Sequence, residues 1–124
     1  LAIHPVTFDV YVGGNTISSD FPGTTGGAQS VNGGSVDAFV ARLSADLTTL
    51  HQATYLGGTG DDFAYALAIH HGTFDGGTSD DDDPVTFDIY LGGNTRSSDF
   101  PGTAGGAQPV YGGGVGEGDG DEGA

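Results

Sequence analysis

Acidic side chains in tight turns are the residues of this sequence best placed to do chemistry. Asp61 and Asp62 follow a Gly-Thr-Gly stretch, and Asp20 and Asp99 lie in turns rich in Ser, Pro and Gly. Carboxylates and turn carbonyls are the hard oxygen ligands that Ca²⁺ prefers. We therefore predict these four aspartates as candidate calcium ligands. The alternative is that they are solvated or turn-capping carboxylates, because none lies in a twelve-residue EF-hand loop.

The four histidines, His4, His51, His70 and His71, are weaker candidates for a metal site. His70 and His71 are adjacent, and adjacent residues of a strand point to opposite faces of the sheet. They would therefore not chelate one ion together. His4 and His70 occupy equivalent positions of an internal repeat, which indicates a structural place for both.

No pattern in the chain predicts catalysis. The Gly-x-Ser-x-Gly nucleophile elbow is absent from the sequence, and its acids lie in turns rather than around a predicted cleft. We therefore expect a protein that is not an enzyme. Tyrosines keep glycan as a candidate ligand, although strand aromatics more often pack on cross-strand neighbours. They are Tyr11, Tyr55, Tyr65, Tyr90 and Tyr111.

The charge balance excludes several classes of partner. The sequence carries 17 acidic residues against two basic ones, for a formal net charge of −15. Such a chain will not attract nucleic acid phosphates or an anionic membrane. Its self-repulsion is destabilising unless salt screens it or cations bind, so we expect stability to depend on salt or Ca²⁺. The composition is typical of extreme halophiles, and the alternative is a calcium-loaded surface protein of an ordinary marine or soil microbe.

Features that the sequence lacks exclude further kinds of site and location. Without cysteine the chain forms no disulfide framework and no thiolate metal site. No apolar run approaches the length of a membrane span, so we expect no membrane insertion. Methionine is absent even at position 1, which indicates a processed chain or a piece of a longer one.

An internal repeat organises the chain. The stretch 5–34 returns at 84–113, with 24 of the 30 aligned residues identical at an offset of 79. Such a period is typical of architectures in which one supersecondary unit stacks on copies of itself, because a single unit cannot bury its apolar face alone.

A second match fixes the length of the repeat unit. The tetrapeptide Leu-Ala-Ile-His at 1–4 returns at 67–70, at an offset of 66. The change in offset locates a 13-residue acidic insertion at 71–83, which we interpret as a solvated loop. The predicted divisions are a first β repeat (1–66), a truncated second β repeat (67–113) and an acidic Gly-rich tail (114–124).

Alternating apolar residues predict an all-β fold of antiparallel strands. The strand at 6–12 is expected to end at the Gly-Gly-Asn that follows it. The strand at 63–70 alternates large apolar residues with three alanines, a small face that suits close packing of a second sheet. At 37–43 a short helix is the alternative to a strand. Further strands are predicted at 50–56 and 85–91, with the end of one at 1–4.

Landmark peptides occur in a fixed order along the chain. They are Asp-Val-Tyr-Val (9–12), Ser-Asp-Phe-Pro (19–22), Gly-Ala-Gln (27–29), Asp-Ala-Phe-Val-Ala-Arg-Leu (37–43), Tyr-Leu-Gly-Gly (55–58) and Gly-Asp-Asp (60–62). This combination resembles the bacterial seven-bladed β-propeller (SBBP) repeat, in about one and a half copies. The resemblance implies antiparallel propeller blades, a secreted or cell-surface location, and no defined catalytic residues.

The truncated second copy predicts that neighbouring subunits complete the sheets. Incomplete sheets carry open edges, which template further strand pairing. We therefore predict a non-enzymatic extracellular structural protein, a self-assembling subunit of a cell-surface filament or sheath whose partners are copies of itself. The alternative is a fragment of a larger β-propeller surface adhesin that binds glycan or protein.

Overall fold

A computed structural model describes residues 1–71 and 87–113 of the chain, and for His71 the backbone alone. These residues form six strands and no helix: β1 (Ala2–Ile3), β2 (Val10–Thr16), β3 (Asp37–Leu43), β4 (Leu50–Leu56), β5 (Asp62–His71) and β6 (Phe87–Thr95). The predicted all-β class is confirmed. Apart from the backbone of His71, the predicted insertion lies outside the described residues, as does the tail. Within the described ranges no helix is long and apolar enough to cross a membrane.

The strands form two antiparallel sheets. One has the order β1-β2-β3-β4, and the other consists of β5 and β6. Ala2 lies opposite Tyr11 between β1 and β2, and Ala68 lies opposite Tyr90 between β5 and β6. These pairs are related by the two repeat offsets, so both units begin with the same pairing register.

The strand predicted at 6–12 begins later than expected, at Val10. Pro5 has no amide hydrogen to donate to a ladder, and the chain turns there. The His4 ring closes this turn, because its Nδ1 accepts the amides of residues 6 and 7 at 3.1 and 3.2 Å. Phe8 leaves the turn with a positive φ of 64°. His4 is buried, so its predicted structural place is confirmed.

The same strand also continues further than predicted, through two glycines to Thr16. A Cβ on Gly13 would lie 3.1 Å from a methyl carbon of Leu67 in the second sheet. A Cβ on Gly14 would lie 3.1 Å from the ring of Phe39 on β3. The two glycines therefore allow close contacts with other strands, and the prediction that they end the strand is wrong.

The predictions for β3 and β4 match the observed strands, and the helix alternative for 37–43 is wrong. The alternation predicted for 63–70 is interrupted, because a register shift lies between Ala64 and Ala66. Ala64 is buried whereas Ala66 is exposed. The expectation of a continuous alanine face was therefore wrong. Leu67, rather than an alanine, faces Gly13 of the first sheet.

Small side chains and one aromatic cluster form the core. The buried apolar residues are Ala38, Ala41, Ala53, Tyr55 and Ala64. Phe21, from the loop after β2, packs on Phe39 with ring centroids 4.4 Å apart and meets Tyr55 edge-on at 6.4 Å. Strand β5 covers β2 and β3, which places the start of the second unit against the first.

Candidate functional site

Buried polar groups meet where the two units join. The turn 57–61 connects β4 to β5, and Asp62 is the first residue of β5. The end of β6 and the residues after it, 95–99, lie against this turn, and Asp37 at the start of β3 lies beside it. We call the turn 57–61, Asp37, Asp62 and the segment 95–99 the junction.

Asp62 is the centre of the junction and is fully buried, with 0 % of its surface exposed. Its carboxylate accepts the amide of Gly58 at 3.0 Å. It also accepts the hydroxyl of Ser97, at 3.0 and 2.8 Å to its two oxygens, and the hydroxyl of Thr95. Three donors from two sequence-distant segments therefore compensate the burial of this charge.

The segment 95–99 also holds the backbone of the turn. Asp99 Oδ1 accepts the amide and the hydroxyl of Thr59 at 2.9 and 3.1 Å. The amide of Thr59 lowers the pKa of the Asp99 carboxyl, because the bond favours the charged form. Ser97 Oγ accepts the amide of Gly60 at 2.9 Å, and the amide of Arg96 donates to the carbonyl of Asp61 at 2.8 Å.

Asp37 is the second fully buried carboxyl of the junction. Its Oδ2 accepts the amide of Gly33 at 2.7 Å and Nε2 of Gln29 at 3.0 Å, whereas its Oδ1 has no hydrogen-bond donor among the described residues. Burial and the neighbouring Asp62 carboxyl raise the pKa of Asp37, although the Gly33 amide opposes this shift. The Asp37 carboxyl therefore holds its proton more tightly than an exposed aspartate does.

Gly57 makes room for the two carboxyls. A Cβ at this position would lie 2.5 Å from Asp62 Oδ2 and 2.6 Å from Asp37 Oδ1. Any side chain would therefore displace one carboxyl. Glycine here serves close approach rather than backbone freedom.

The structure places three of the four predicted calcium ligands, Asp61, Asp62 and Asp99, in the junction and leaves Asp20 apart from them. Asp62 and Asp99 both lie in the junction, but hydroxyls and amides occupy their oxygens. Asp61 is half-buried and contributes its backbone carbonyl, and Asp20 is exposed in the first unit with no side-chain hydrogen bond to a described residue. Within residues 1–71 and 87–113 no three acidic or histidine side chains are grouped to hold a metal ion. A calcium site stays a prediction.

Asp37, Thr95 and Ser97 were not predicted as site residues. One signal in the sequence could have found the hydroxyls. Thr95 and Ser97 belong to the repeated block, and their counterparts Thr16 and Ser18 show the same local bond, from the serine amide to the threonine hydroxyl, at 2.9 and 3.0 Å. No spacing signal links Asp37 to the junction, because the pairing of β3 with β4 brings it there.

Three of the tyrosines and His70 make contacts within the fold, whereas His51 lies 3.9 Å from the carboxylate of Asp9. Tyr55 is buried, and its hydroxyl joins two loop residues of the first unit. Tyr65 stacks on Phe63 with ring centroids 6.2 Å apart, and Tyr90 meets His70 edge-on at 5.9 Å. Both tyrosines remain largely exposed, so their rings are open to a ligand.

Comparisons with known proteins assign no family. No protein-family model matches the chain, and no solved structure matches it. The chain is similar to "Regulatory protein FlaEY" of Caulobacter vibrioides (strain ATCC 19089 / CIP 103742 / CB 15), at 42 % identity over 62 residues. The match covers 48 % of this chain and 6 % of that protein, so the chain spans only a small part of its relative.

Proposed function

We propose that this chain is a non-enzymatic extracellular structural protein, a self-assembling subunit of a cell-surface filament or sheath built from β units. One observation carries the proposal: residues of the repeated block are those that join the two units. Thr95, Ser97 and Asp99 all belong to this block, and all bind the turn between β4 and β5 or the Asp62 that follows it. The polar groups of these residues thus help to hold the two sheets together.

Surface apolar side chains support assembly with further copies. Ile17 and Val31 lie in the loop after β2 and are 78 % and 70 % exposed, and Val110 in the equivalent loop after β6 is 72 % exposed. Contiguous exposed apolar patches mark interaction surfaces, and these three side chains are our candidates for such a patch. Salt would favour contacts between such surfaces, because it screens the repulsion between chains of net charge −15.

The acidic surface supports a location rich in salt or calcium. Asp20 and Asp61 have carboxylates that make no hydrogen bond to a described residue, so both are free to bind a cation. Bound Ca²⁺ would also lower the net charge and favour association. An extracellular or cell-surface location agrees with this chemistry and with the resemblance to SBBP repeats.

A second candidate function is that of a segment of a larger β-propeller surface adhesin that binds glycan or protein. The observation that favours it is the length of the Caulobacter protein, of which the match covers 6 %. The regulatory role in that protein's name belongs to the whole relative. In this chain, the exposed rings of Tyr65 and Tyr90 would be the candidate glycan contacts.

Sedimentation velocity and electron microscopy of the purified chain test the proposal. In molar salt with Ca²⁺ at micromolar protein, we expect species that grow with concentration, seen as fibres or sheets. The matched control is the same chain dialysed into dilute buffer with chelator, where the Debye length reaches about 30 Å at 0.01 M and repulsion should dissociate the assembly. A monodisperse, folded monomer in both conditions would overturn the self-assembling role.

A further inference from the structure

The loops that follow β2 and β6 have the same conformation. We call residues 17–36 the first loop and residues 96–113 the second loop. Gly23 and Gly102 have φ of 79° and 80°, and Gly26 and Gly105 both have φ of 84°. Equivalent internal hydrogen bonds agree within 0.2 Å, for example from the Gln29 and Gln108 side chains to the carbonyls two residues later at 2.9 and 3.1 Å.

The first loop uses this conformation to hold β4. Its carbonyls at Gly23 and Gln29 accept the amides of Ala53 and Tyr55 at 2.8 and 2.9 Å. The Tyr55 hydroxyl donates to a loop carbonyl at 2.8 Å and accepts a loop amide at 3.0 Å. The Gln29 amide donates to the hydroxyl of Thr54 at 2.8 Å. The loop therefore binds the outer edge of the hairpin that β3 and β4 form.

No described strand occupies the equivalent place in the second loop. Of the described strands only β5 pairs with β6, so no described strand lies along residues 91–95 on the other edge of β6. Phe100, the counterpart of Phe21, lines two cavities of about 240 and 170 Å³. The larger is lined by residues 91–95 of β6, by residues 62–64 of β5 and by Ala38 and Leu56 of the first sheet, and the lining of the smaller includes residues 108–111 of the second loop. Phe21 contacts the rings of Phe39 and Tyr55, whereas Phe100 borders these cavities.

The surroundings of equivalent glycines also differ between the two loops. A Cβ on Gly27 would lie 2.5 Å from the carbonyl oxygen of Ala53, so glycine there allows β4 to approach. Its counterpart Gly106 has only the carbonyl of Thr103, in its own loop, within the same range, at 3.1 Å. The second loop thus keeps a shape that fits a strand the described residues do not supply.

We propose that the second loop and residues 91–95 of β6 form a binding site for a β-hairpin. The hairpin carries a Phe and a Tyr directly opposite each other, as Phe39 and Tyr55 are paired in β3 and β4. Its Phe fills the 240 Å³ cavity and its Tyr fills the 170 Å³ cavity, both of which Phe100 lines. The amides of the strand that bears the Tyr donate to carbonyls of the second loop, as those of Ala53 and Tyr55 donate to the first loop.

The occupant is the β3–β4-type hairpin of another unit of this repeat. The described chain has two such sites and one hairpin, and that hairpin already fills the first site. The single hairpin of a second copy fills the first loop of that copy. If this hairpin moved to the second loop of its neighbour, one site would be filled and another emptied, so the number of filled sites would not change. This inference rests on the proposed function, because the partner is also a β unit of this repeat. It adds the requirement that the hairpin of the partner unit is not already bound to a loop of its own.

Inserting a second copy of residues 35–58 between Gly113 and Gly114 of the full chain tests the chemistry of the site. The insert follows Gly113 as the original segment follows Gly34, and it supplies the hairpin at high effective concentration. We expect the midpoint of thermal unfolding to rise by about 5 °C or more. The control insert has Ala in place of the residues copied from Phe39 and Tyr55, and it should give no rise. Equal midpoints for both inserts would overturn the proposal.

Adding the hairpin as a separate peptide tests whether the second loop binds it without a covalent link. A synthetic peptide of residues 35–58 is added to the ¹⁵N-labelled full chain, and we expect shifts at residues 91–111 but not at 17–36. Unchanged spectra would overturn the proposal. Shifts at 91–111 that grow with the concentration of the chain alone would show that a second copy donates its own hairpin, and would overturn the requirement for a unit whose hairpin is free. Peptide binding without sedimenting assemblies leaves this inference intact while the self-assembling role fails, so the two failures are distinguishable.

Discussion

The first and second loops show one local structure in two environments. Their central turns have the same glycine conformations and equivalent internal hydrogen bonds, although at the loop ends Gly113 has a φ of 103° and its counterpart Gly34 has no positive φ. The first loop packs on β4, whereas no described strand packs on the second. Loop geometry is therefore set within about 20 residues, by glycines in the left-handed region and by threonine and glutamine side chains that bond nearby carbonyls. Burial is a separate property, because it depends on strands from elsewhere in the chain.

The largest expected effect comes from removing the aromatic ring that fills the first loop. Tyr55→Ala deletes a buried side chain, and we expect a loss of about 4 kcal/mol in the free energy of unfolding. The matched control is Tyr90→Ala, which truncates a tyrosine that is 58 % exposed and should cost far less. Urea unfolding of both variants measures the difference. Similar losses would mean that the first loop gains little from its strand.

The next largest effect is expected from replacing equivalent glycines of the two loops by alanine. Gly27→Ala would place a methyl group 2.5 Å from a backbone oxygen of β4, and we expect a cost of about 2 kcal/mol from overpacking. Gly106→Ala, the same change in the second loop, meets only the loop's own carbonyl at 3.1 Å and should shift stability by about 0.5 kcal/mol at most. Denaturation midpoints of the two variants decide. Equal costs would show that a second strand lies on the second loop.

The buried carboxyl pair predicts a pH dependence that belongs to the first unit. The pKa of Asp37 is raised in the folded state, so the folded chain holds this proton more tightly than the unfolded chain. Stability from Asp37 is therefore full below its ordinary value of 3.8 and is lost as pH rises through the raised pKa. Asp37→Asn should remove this fall and gain about 1 kcal/mol at neutral pH, because an amide can donate to Asp62 without a charge.

Thermal unfolding between pH 2 and pH 7 measures that effect, with Asp46→Asn as the control. Hydrogen bonds from Thr48 and Ser44 lower the pKa of Asp46 to about 2, so its contribution is present above 3.8 and is lost as pH falls toward 2. The two variants should thus change opposite ends of the pH profile. A steeper fall toward neutral pH in Asp37→Asn than in the parent chain would contradict the assignment.

The smallest expected difference separates the two turn aspartates of the repeat. Asp99→Asn weakens the acceptor of two Thr59 bonds, whereas Asp20→Asn changes a side chain that makes no bond to a described residue. We expect a small but measurable drop in the denaturation midpoint for Asp99→Asn alone. Calcium titrations of both variants add a second readout, since either aspartate was a candidate ligand. A larger drop for Asp20→Asn would locate a contact that the described residues do not show.

Strand positions and the fold class could largely be predicted, because alternation and turn residues act over short distances. The predicted range of β4 is that observed, and β3 matches once the helix alternative is excluded. The bounds of β2 could not be predicted. Its glycines resemble a strand end, and the contacts with Leu67 and Phe39 that make them strand residues come from two other strands.

The candidate site shows the same division. Asp62 and Asp99 were both predicted as calcium ligands from the turns in which they lie, and calcium binding stays a prediction. The burial of both Asp37 and Asp62 could not be predicted, because 25 residues separate them in the chain and strand pairing brings them together. The hydroxyls of Thr95 and Ser97 were visible only as members of a repeated block.

The sequence by itself determined the repeat, the acidic character, the all-β class and the conformation of both loops, because each depends on composition or on neighbours along the chain. The tertiary structure decided which carboxyls are buried, which glycines allow close approach, and that the first loop is filled while the second has open cavities. These properties depend on which distant strands meet, and pairing is a matter of register and packing between segments that local patterns do not encode.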